Sequence, residues 1–178
     1  MSIINLSLKK RIISISYKYK LSHLGSVLTA VDIIEEIFSK KSYDEKFVLS
    51  SGHAGLALYV VLEKYGKPVL IDKKNDRWNL ESLDAEKIFN HHGVHPDRCI
   101  KCEIDCSTGS LGHGLPIATG MALADRTKNV YCLISDAELS EGSIWEAFRI
   151  IQEQQLENLK IYLNWNHWGA YKYIGDEQ

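Results

Sequence analysis

The chain has 178 residues, of which 45% are hydrophobic and 25% are charged, and its formal net charge is −2 at pH 7. This length and composition predict one soluble globular domain, residues 1–178, with a core of its own. The small negative charge argues against a nucleic-acid surface, and no apolar run approaches the roughly 20 residues that cross a membrane. The charged amino-terminal segment does not resemble a secretory signal, so we expect a cytoplasmic protein.

Apolar spacing in the first half of the chain predicts helices joined by turns, with one short strand between them. A polar, turn-rich excursion over residues 67–79 separates the last two helices, and Ser82 is the expected N-cap of the last one. The expected helices span residues 3–19, 28–39, 56–65 and 82–89, and the expected strand spans residues 47–50.

The second half of the chain predicts a βαβ unit. A strand-like run over residues 103–106 leads into a glycine-rich turn and an apolar helix. The β-rich run from Val130 to Ile134 is then followed by a helix-period segment entered at Gly142 and by a second strand-like run from Leu159 to Leu163. The alternation of strands and helices predicts an α/β domain with a parallel sheet.

Asp136 follows the first strand of this βαβ unit, and Asn166 follows the second. Because the carboxyl ends of parallel strands meet at one edge of a sheet, the two side chains can converge although 30 residues separate them. One carboxylate, one amide oxygen and a nearby backbone carbonyl suit Mg²⁺. The alternative is an ordinary βαβ crossover whose acidic turn only caps a helix.

The cysteines offer a second candidate site. The sequence places Cys99, Cys102 and Cys106 in a CxxCxxxC cluster just after His91, His92 and His95. Zinc binding is therefore one interpretation. Reduced, mostly buried thiols are the preferred one, because the sequence has no second CxxC pair and Cys106 lies in a strand-like run where its side chain is expected to pack inward.

The residues around Asp136 resemble the thiamine diphosphate motif of the transketolase family, which is usually Gly-Asp-Gly followed further along by Asn. The stretch SDAELSEGSIWEA is closer to transketolases than to deoxyxylulose phosphate synthase or the 2-oxo acid dehydrogenases, and similarity runs from His23 to Gly169. The resemblance implies a three-layer, open, mostly parallel sheet with helices on both faces. It also implies thiamine diphosphate and Mg²⁺ as cofactors, with Ca²⁺ able to substitute for Mg²⁺.

The resemblance assigns a role to each matching residue. Asp136, Asn166 and the main-chain carbonyl of Trp168 would hold the metal ion. Glu141 would face the partner subunit near the cofactor's aminopyrimidine. The histidines expected near the thiazolium and the substrate hydroxyls are His23, His53 and His95. The residues expected around the diphosphate are Leu111, Gly112, His113, Ser135, Asp136, Ala137 and Asn166.

Two features depart from the family pattern. Ser135 and Ala137 stand where the family has glycines, and a Cβ at the second of these positions is expected to weaken cofactor binding. The chain ends at Gln178, nine residues after Gly169. We therefore expect it to lack the pyrimidine-binding domain and to resemble the short amino-terminal subunit of a split transketolase.

The resemblance implies an enzyme subunit that transfers a two-carbon ketol unit between sugars or sugar phosphates. We expect a homodimer that joins a separate pyrimidine-binding chain in a heterotetramer. One alternative is a non-catalytic relic or interaction module with the same fold. Another is a subunit of a different thiamine diphosphate-dependent lyase or synthase, which the ELSEGSIWEA stretch disfavours.

Overall fold

The structure, a computed structural model, describes residues 6–66, 83–169 and 172–175. The chain divides into two compact units. The first unit comprises Met1–Lys40 and His53–Ser107, and the second comprises Lys41–Gly52 and Thr108–Gln178. Within the described ranges, no helix is both long enough and apolar enough to cross a membrane.

Helices make up the first unit. They are α1 (Leu6–Tyr19), α2 (Leu24–Lys40), α3 (Gly55–Tyr65) and α4 (Ala85–His92). Every residue of α3 from Gly55 to Leu62 is buried, as expected of a helix that is apolar on all sides. Because α1, α2 and α4 all contact α3, that helix is the centre of the unit's core.

Arg11 links three of these helices. Its guanidinium contacts the Glu63 carboxyl of α3 at 3.1 Å and the Asp84 carboxyl at 3.3 Å. Asp84 is also the N-cap of α4, where its side chain accepts a hydrogen bond from the Lys87 N–H at 2.8 Å. Each partly exposed ion pair contributes at most about 1 kcal/mol, but together they fix the start of the helix that ends at His92.

The second unit is built on a parallel three-stranded sheet in the order β1 (Lys46–Leu49), β2 (Val130–Ser135) and β3 (Leu159–Asn164). All six residues of the central strand β2 are buried, which explains its continuous apolar character. Helix α5 (Gly114–Ala124) packs against all three strands, and α6 (Gly142–Glu153) packs against α5. The predicted α/β class, with a parallel sheet flanked by helices, is confirmed.

The predicted βαβ unit is also confirmed, because β2, α6 and β3 follow one another and the two strands pair in parallel. Ser135, the last residue of β2, lies beside Asn164, the last residue of β3. On the other side of β2, Leu49 of β1 lies beside Leu133. The carboxyl ends of all three strands therefore lie along one edge of the sheet.

The starts of helices α2 and α4 differ from the predictions by more than one residue. Helix α2 begins at Leu24 rather than at residue 28. Gly25 suggested a loop in the sequence, but the first turn of a helix accepts a glycine. Helix α4 is described from Ala85, with Asp84 as its cap. The predicted cap Ser82 and the predicted excursion over residues 67–79 lie outside the described residues.

The predicted strand over residues 103–106 does not join the sheet. Cys99 and Ile104 form only an isolated antiparallel bridge. Glu103 has a φ of +57°, in the left-handed region that interrupts an extended strand. The expectation that Cys106 is buried is confirmed.

Candidate functional site

The Asp136 carboxyl group is fixed by backbone donors at the carboxyl edge of the sheet. Asp136 begins a short 3-10 helix, Asp136–Ser140, and is only 2% exposed. Its Oδ1 accepts from the Ala137 N–H at 2.9 Å. Its Oδ2 accepts from the N–H groups of Asn166 and His167 at 2.9 and 2.6 Å. These bonds bring Asp136 and Asn166 together across the ends of β2 and β3.

The segment after β3 supplies two further oxygen atoms of the expected kind. The Asn166 Oδ1 accepts from the Trp168 N–H at 2.9 Å, so the Asn166 side chain is held in a local turn. His167, between these two residues, has a φ of +65°, which is uncommon for a residue with a side chain. A carboxylate, an amide oxygen and the Trp168 main-chain carbonyl are hard oxygen donors. The residues present therefore fit a Mg²⁺ or Ca²⁺ ion.

Glu138 joins three segments at this edge. Its side chain is fully buried and accepts from the Ser50 hydroxyl at 2.5 Å, just after β1. It also accepts from the Gly112 N–H at 3.0 Å and from the N–H and hydroxyl of Ser135 at 2.9 and 3.2 Å. Glu138 was not among the site residues predicted from the sequence. Its signal was present, since Ser followed three residues later by Glu is the capping-box pattern.

Gly112 occupies a position that only glycine fits. Its φ is +79°, and an added Cβ would lie 2.6 Å from the Cβ of Glu141 and from the Oγ of Ser143. The Ser143 hydroxyl donates to the Gly112 carbonyl at 2.8 Å, so this loop is tied to the start of α6. Gly112, which the resemblance assigned to the diphosphate, donates its N–H to Glu138.

Other residues assigned to the diphosphate lie beside Gly112. Leu111 is half-buried, and His113 is exposed at the N-cap of α5. The first turn of α5 presents backbone N–H groups that can bind an anion. The exposed Glu141 immediately precedes α6 and packs against Gly112. The loop around Gly112, the residue Glu141 and the turn that begins at Asp136 therefore all lie within the second unit.

The two positions where the family has glycines do not need glycine here. Ser135 is extended, with a φ of −104°, and both its N–H and its hydroxyl donate to Glu138. Ala137 is half-buried and does not have a positive φ. The backbone of this turn is therefore compatible with serine and alanine.

The three histidines assigned to catalysis belong to the first unit. His23 precedes α2, His53 lies in the short 3-10 helix before α3, and His95 follows α4. The rings of His23 and His53 are 5.2 Å apart. Burial lowers the pKa of His53 to about 4, and electrostatic interaction with His23 and His95 acts in the same direction. His53 is therefore neutral at neutral pH.

His23 has an unusual backbone conformation for its residue type. Its φ is +62°, a value that glycine adopts far more readily than histidine. Such conformations persist where the surrounding structure over-determines them, and they are concentrated at functional sites. His23 is exposed, so its side chain is available to a ligand.

Comparison with known proteins identifies relatives of this chain. The family described as transketolase, thiamine diphosphate binding domain, matches residues 9–168. A transketolase of Pongo abelii is 36% identical over 162 residues, which cover 83% of this chain and 24% of that protein. An apulose-4-phosphate transketolase subunit of Phocaeicola vulgatus is 30% identical over 176 residues, which cover 89% of this chain and 58% of that protein.

Comparison with solved structures also identifies a transketolase. The crystal structure of transketolase from Campylobacter jejuni superimposes with a TM-score of 0.68 at 25% sequence identity. The match covers 88% of this chain and 26% of the Campylobacter chain. The chain thus spans about a quarter of these full-length transketolases and over half of the Phocaeicola protein.

Proposed function

Because the chain belongs to the transketolase family of thiamine diphosphate binding domains, we propose that it is the diphosphate-binding subunit of a split transketolase-like enzyme. Its reaction is the transfer of a two-carbon ketol unit between sugars or sugar phosphates. The observation that carries the proposal is the bonding of the buried Asp136 carboxyl to the backbone of Asn166 and His167 across two parallel strand ends.

In this proposal, Asp136, the Asn166 side chain and the Trp168 carbonyl hold Mg²⁺, or Ca²⁺ in its place, against the diphosphate. A pre-oriented carboxylate is well suited to this task, because the backbone donors already fix its position before a cation arrives. Leu111, His113 and the first turn of α5 line the diphosphate. Gly112 contributes by its close approach to Glu141 and Ser143 rather than by a free N–H group.

The proposed roles of the histidines follow from their charge and exposure. When bound, thiamine diphosphate supplies the carbanion chemistry of ketol transfer. His53, neutral at neutral pH, can accept a proton from a sugar hydroxyl. His23 and His95 are exposed and can donate or accept protons at other hydroxyls of the substrate. Glu141 faces the partner subunit near the aminopyrimidine.

A separate chain completes the enzyme in this proposal. The similar Phocaeicola protein is named as one subunit of a transketolase, which supports a second subunit here too. We propose that this second subunit carries the pyrimidine-binding domain and that two copies of each chain form a cytoplasmic heterotetramer. Sedimentation of the mixed chains tests the assembly, and strictly monomeric behaviour with and without the second chain contradicts it.

The central experiment measures thiamine diphosphate binding and ketol transfer by the chain reconstituted with the product of an adjacent reading frame that resembles a pyrimidine-binding half. We expect binding to require Mg²⁺ or Ca²⁺. Asp136→Asn should weaken it by more than about 100-fold, because it removes the charged metal ligand. Asn is preferable to Ala because its amide oxygen still accepts from part of the backbone donors, whereas Ala would leave all three without their acceptor.

Asp44→Asn is the matched control, because Asp44 is exposed in the same unit and its ion pair with Lys128 lies at the surface. It should bind the cofactor like the unmodified chain. Equal thiamine diphosphate affinity with and without the cation would contradict the proposed metal site. If cofactor binds but no partner restores ketol transfer, the interaction-module alternative is favoured.

A further inference from the structure

The CxxC segment folds into a tight, hydrogen-bonded turn. Cys99 and Ile104 exchange both of their backbone hydrogen bonds at 2.9 Å, which closes the turn as an antiparallel bridge. Inside it, the Cys102 N–H donates to the Cys99 carbonyl at 3.2 Å, and the left-handed Glu103 lets the chain reverse. The two cysteine side chains are thereby held on a backbone of defined shape.

The same turn also places a backbone N–H group close to a cysteine sulfur atom. The Cys102 N–H lies 3.2 Å from the Cys99 Sγ. A hydrogen bond to sulfur stabilises the thiolate, which is the form that binds metal ions. Cys106 is not part of this arrangement, because its Sγ contacts the Ser107 carbonyl at 3.3 Å.

His92, the last residue of α4, completes a group of three metal-binding side chains. One ligand atom from each of His92, Cys99 and Cys102 lies within 4.8 Å of the others. In a tetrahedral zinc site with ordinary bond lengths, ligand atoms lie about 3.8 Å apart, so a side-chain adjustment of about 1 Å is sufficient. The carboxyl end of a helix also favours a bound cation.

Two buried polar atoms lack hydrogen-bond partners at this place. Among the described residues, neither the Nε2 of His92 nor the hydroxyl of Tyr59 has one. The two rings lie 6.2 Å apart. A buried polar atom without a hydrogen-bond partner destabilises the fold, so each of these atoms is expected to have a partner that the described part of the protein does not supply. A metal ion bound through the Nε2 nitrogen would provide one for His92.

We propose that His92, Cys99 and Cys102 bind a zinc ion, with a water molecule or another exogenous ligand in the fourth position. Thiolate and imidazole ligands select zinc over Mg²⁺ or Ca²⁺, which take oxygen ligands. Two thiolates balance the charge of Zn²⁺, which suits a half-buried place. The inference revises the preferred interpretation of the sequence, in which the thiols were only reduced core residues.

Metal binding here closes a loop that contains His95. The three proposed ligands flank His95 in the sequence, at positions 92, 99 and 102. The loop packs closely against the start of α3, since an added Cβ on Gly55 would lie 2.4 Å from the Val94 carbonyl oxygen. The ion would therefore fix the segment that carries His95. Metal binding itself does not rest on the proposed function. The positioning of His95 matters for catalysis only within that proposed function.

The test uses the full, untagged chain, reduced and stripped of metal, in a buffer without thiamine diphosphate. Titration with Co²⁺ should give one equivalent bound with a sulfur-to-cobalt charge-transfer band, and Zn²⁺ should displace the Co²⁺. Cys99→Ser, Cys102→Ser and His92→Gln should each weaken binding by more than about 100-fold, because even outer-shell changes cost 10–100-fold. Because His92 lies half-buried at a helix end, His92→Gln is expected to fold, so it tests the site even if a cysteine variant fails to fold.

Two matched controls lie in the same segment. Cys106→Ser replaces a neighbouring buried thiol, and His91→Gln replaces the exposed histidine next to His92. Both should bind Co²⁺ like the unmodified chain. A reduced chain that takes up no Co²⁺ at equimolar concentration overturns the proposal, and so does binding that survives Cys99→Ser and Cys102→Ser. Because no cofactor is present, neither result depends on the proposed function.

Discussion

The turn after β2 and the histidine loops of the first unit hold their polar groups in different ways. In the turn, the buried carboxyl groups of Asp136 and Glu138 are fixed by backbone N–H groups and hydroxyls. In the loops, His23 and His53 lie ring beside ring, and burial keeps His53 neutral. Fixed dipoles suit a permanently charged ligand, whereas an imidazole whose charge depends on its surroundings suits proton exchange.

This difference predicts different responses to substitution. Changes in the turn should affect folding stability and cofactor affinity together, because the same hydrogen bonds serve both. Changes among the histidines should affect pH dependence and turnover, with little effect on cofactor affinity.

Glu138→Ala should produce the largest loss of stability. It removes the acceptor of two buried backbone N–H groups, on Gly112 and Ser135, and of two hydroxyl groups. Since each buried donor left without an acceptor costs about 1–3 kcal/mol, the free energy of unfolding should fall by about 3 kcal/mol or more. Urea denaturation measures this change.

Two companion variants separate the hydrogen bonds from the side-chain volume. Glu138→Gln keeps the volume but turns an amide NH₂ toward donor groups, so it should cost about 2 kcal/mol. Ser50→Ala removes only one donor and should cost about 1 kcal/mol. If Glu138→Ala is no more destabilising than Ser50→Ala, Glu138 does not organise this edge of the sheet.

His53→Gln should change the pH dependence of stability. The folded-state pKa of His53, about 4, lies below the ordinary value of roughly 6.5, so the unfolded chain binds more protons between these values. The contribution of His53 to stability is therefore fully present above about pH 6.5 and is lost as the pH falls toward 4. The variant should show a flatter pH profile across this window in urea denaturation.

The same variant should lower turnover of the reconstituted enzyme by roughly 100-fold while thiamine diphosphate affinity stays nearly constant. His91→Gln is the control, because His91 is exposed and has no assigned role. It should leave both turnover and the pH profile unchanged. A His53→Gln profile parallel to that of the unmodified chain would show that burial does not hold His53 neutral.

The sequence predicted the elements that depend on local patterns. The apolar run from Val130 to Ile134 and the helix entered at Gly142 gave the βαβ unit, and parallel pairing then brings Asp136 and Asn166 to one edge. These features are predictable because strand and helix periods are properties of neighbouring residues. The assignment of roles to the individual site residues stays a prediction.

The features that could not be predicted from the sequence depend on backbone conformation and on long-range contacts. Glu138 meets Ser50 across 88 positions of the chain, and no periodicity reveals such a pair. The left-handed Glu103 ended a run that looked like a strand. The fold of the CxxC turn narrows the proposed zinc ligands to His92, Cys99 and Cys102, whereas the spacing alone did not exclude Cys106.

Ala137→Gly should have the smallest effect, and it tests the departure from the family's glycines. Ala137 has an ordinary φ, and its N–H donates to Asp136, so the turn is already compatible with alanine. Glycine should lower the free energy of unfolding by about 0.5–1 kcal/mol, because it has more conformational freedom in the unfolded chain. Removal of the Cβ should still ease the approach of the diphosphate and tighten thiamine diphosphate binding by less than about tenfold.

Gly142→Ala supplies the opposite change a few residues away and completes this test. At the start of α6, an added Cβ would meet nothing within 4 Å, so alanine should raise the free energy of unfolding by about 0.4–1 kcal/mol and leave cofactor affinity unchanged. Calorimetric titration and urea denaturation of both variants measure the two effects separately. If Ala137→Gly binds thiamine diphosphate no more tightly than the unmodified chain, the conformation of the turn already accommodates the Cβ of Ala137. The absence of glycine would then not limit cofactor binding.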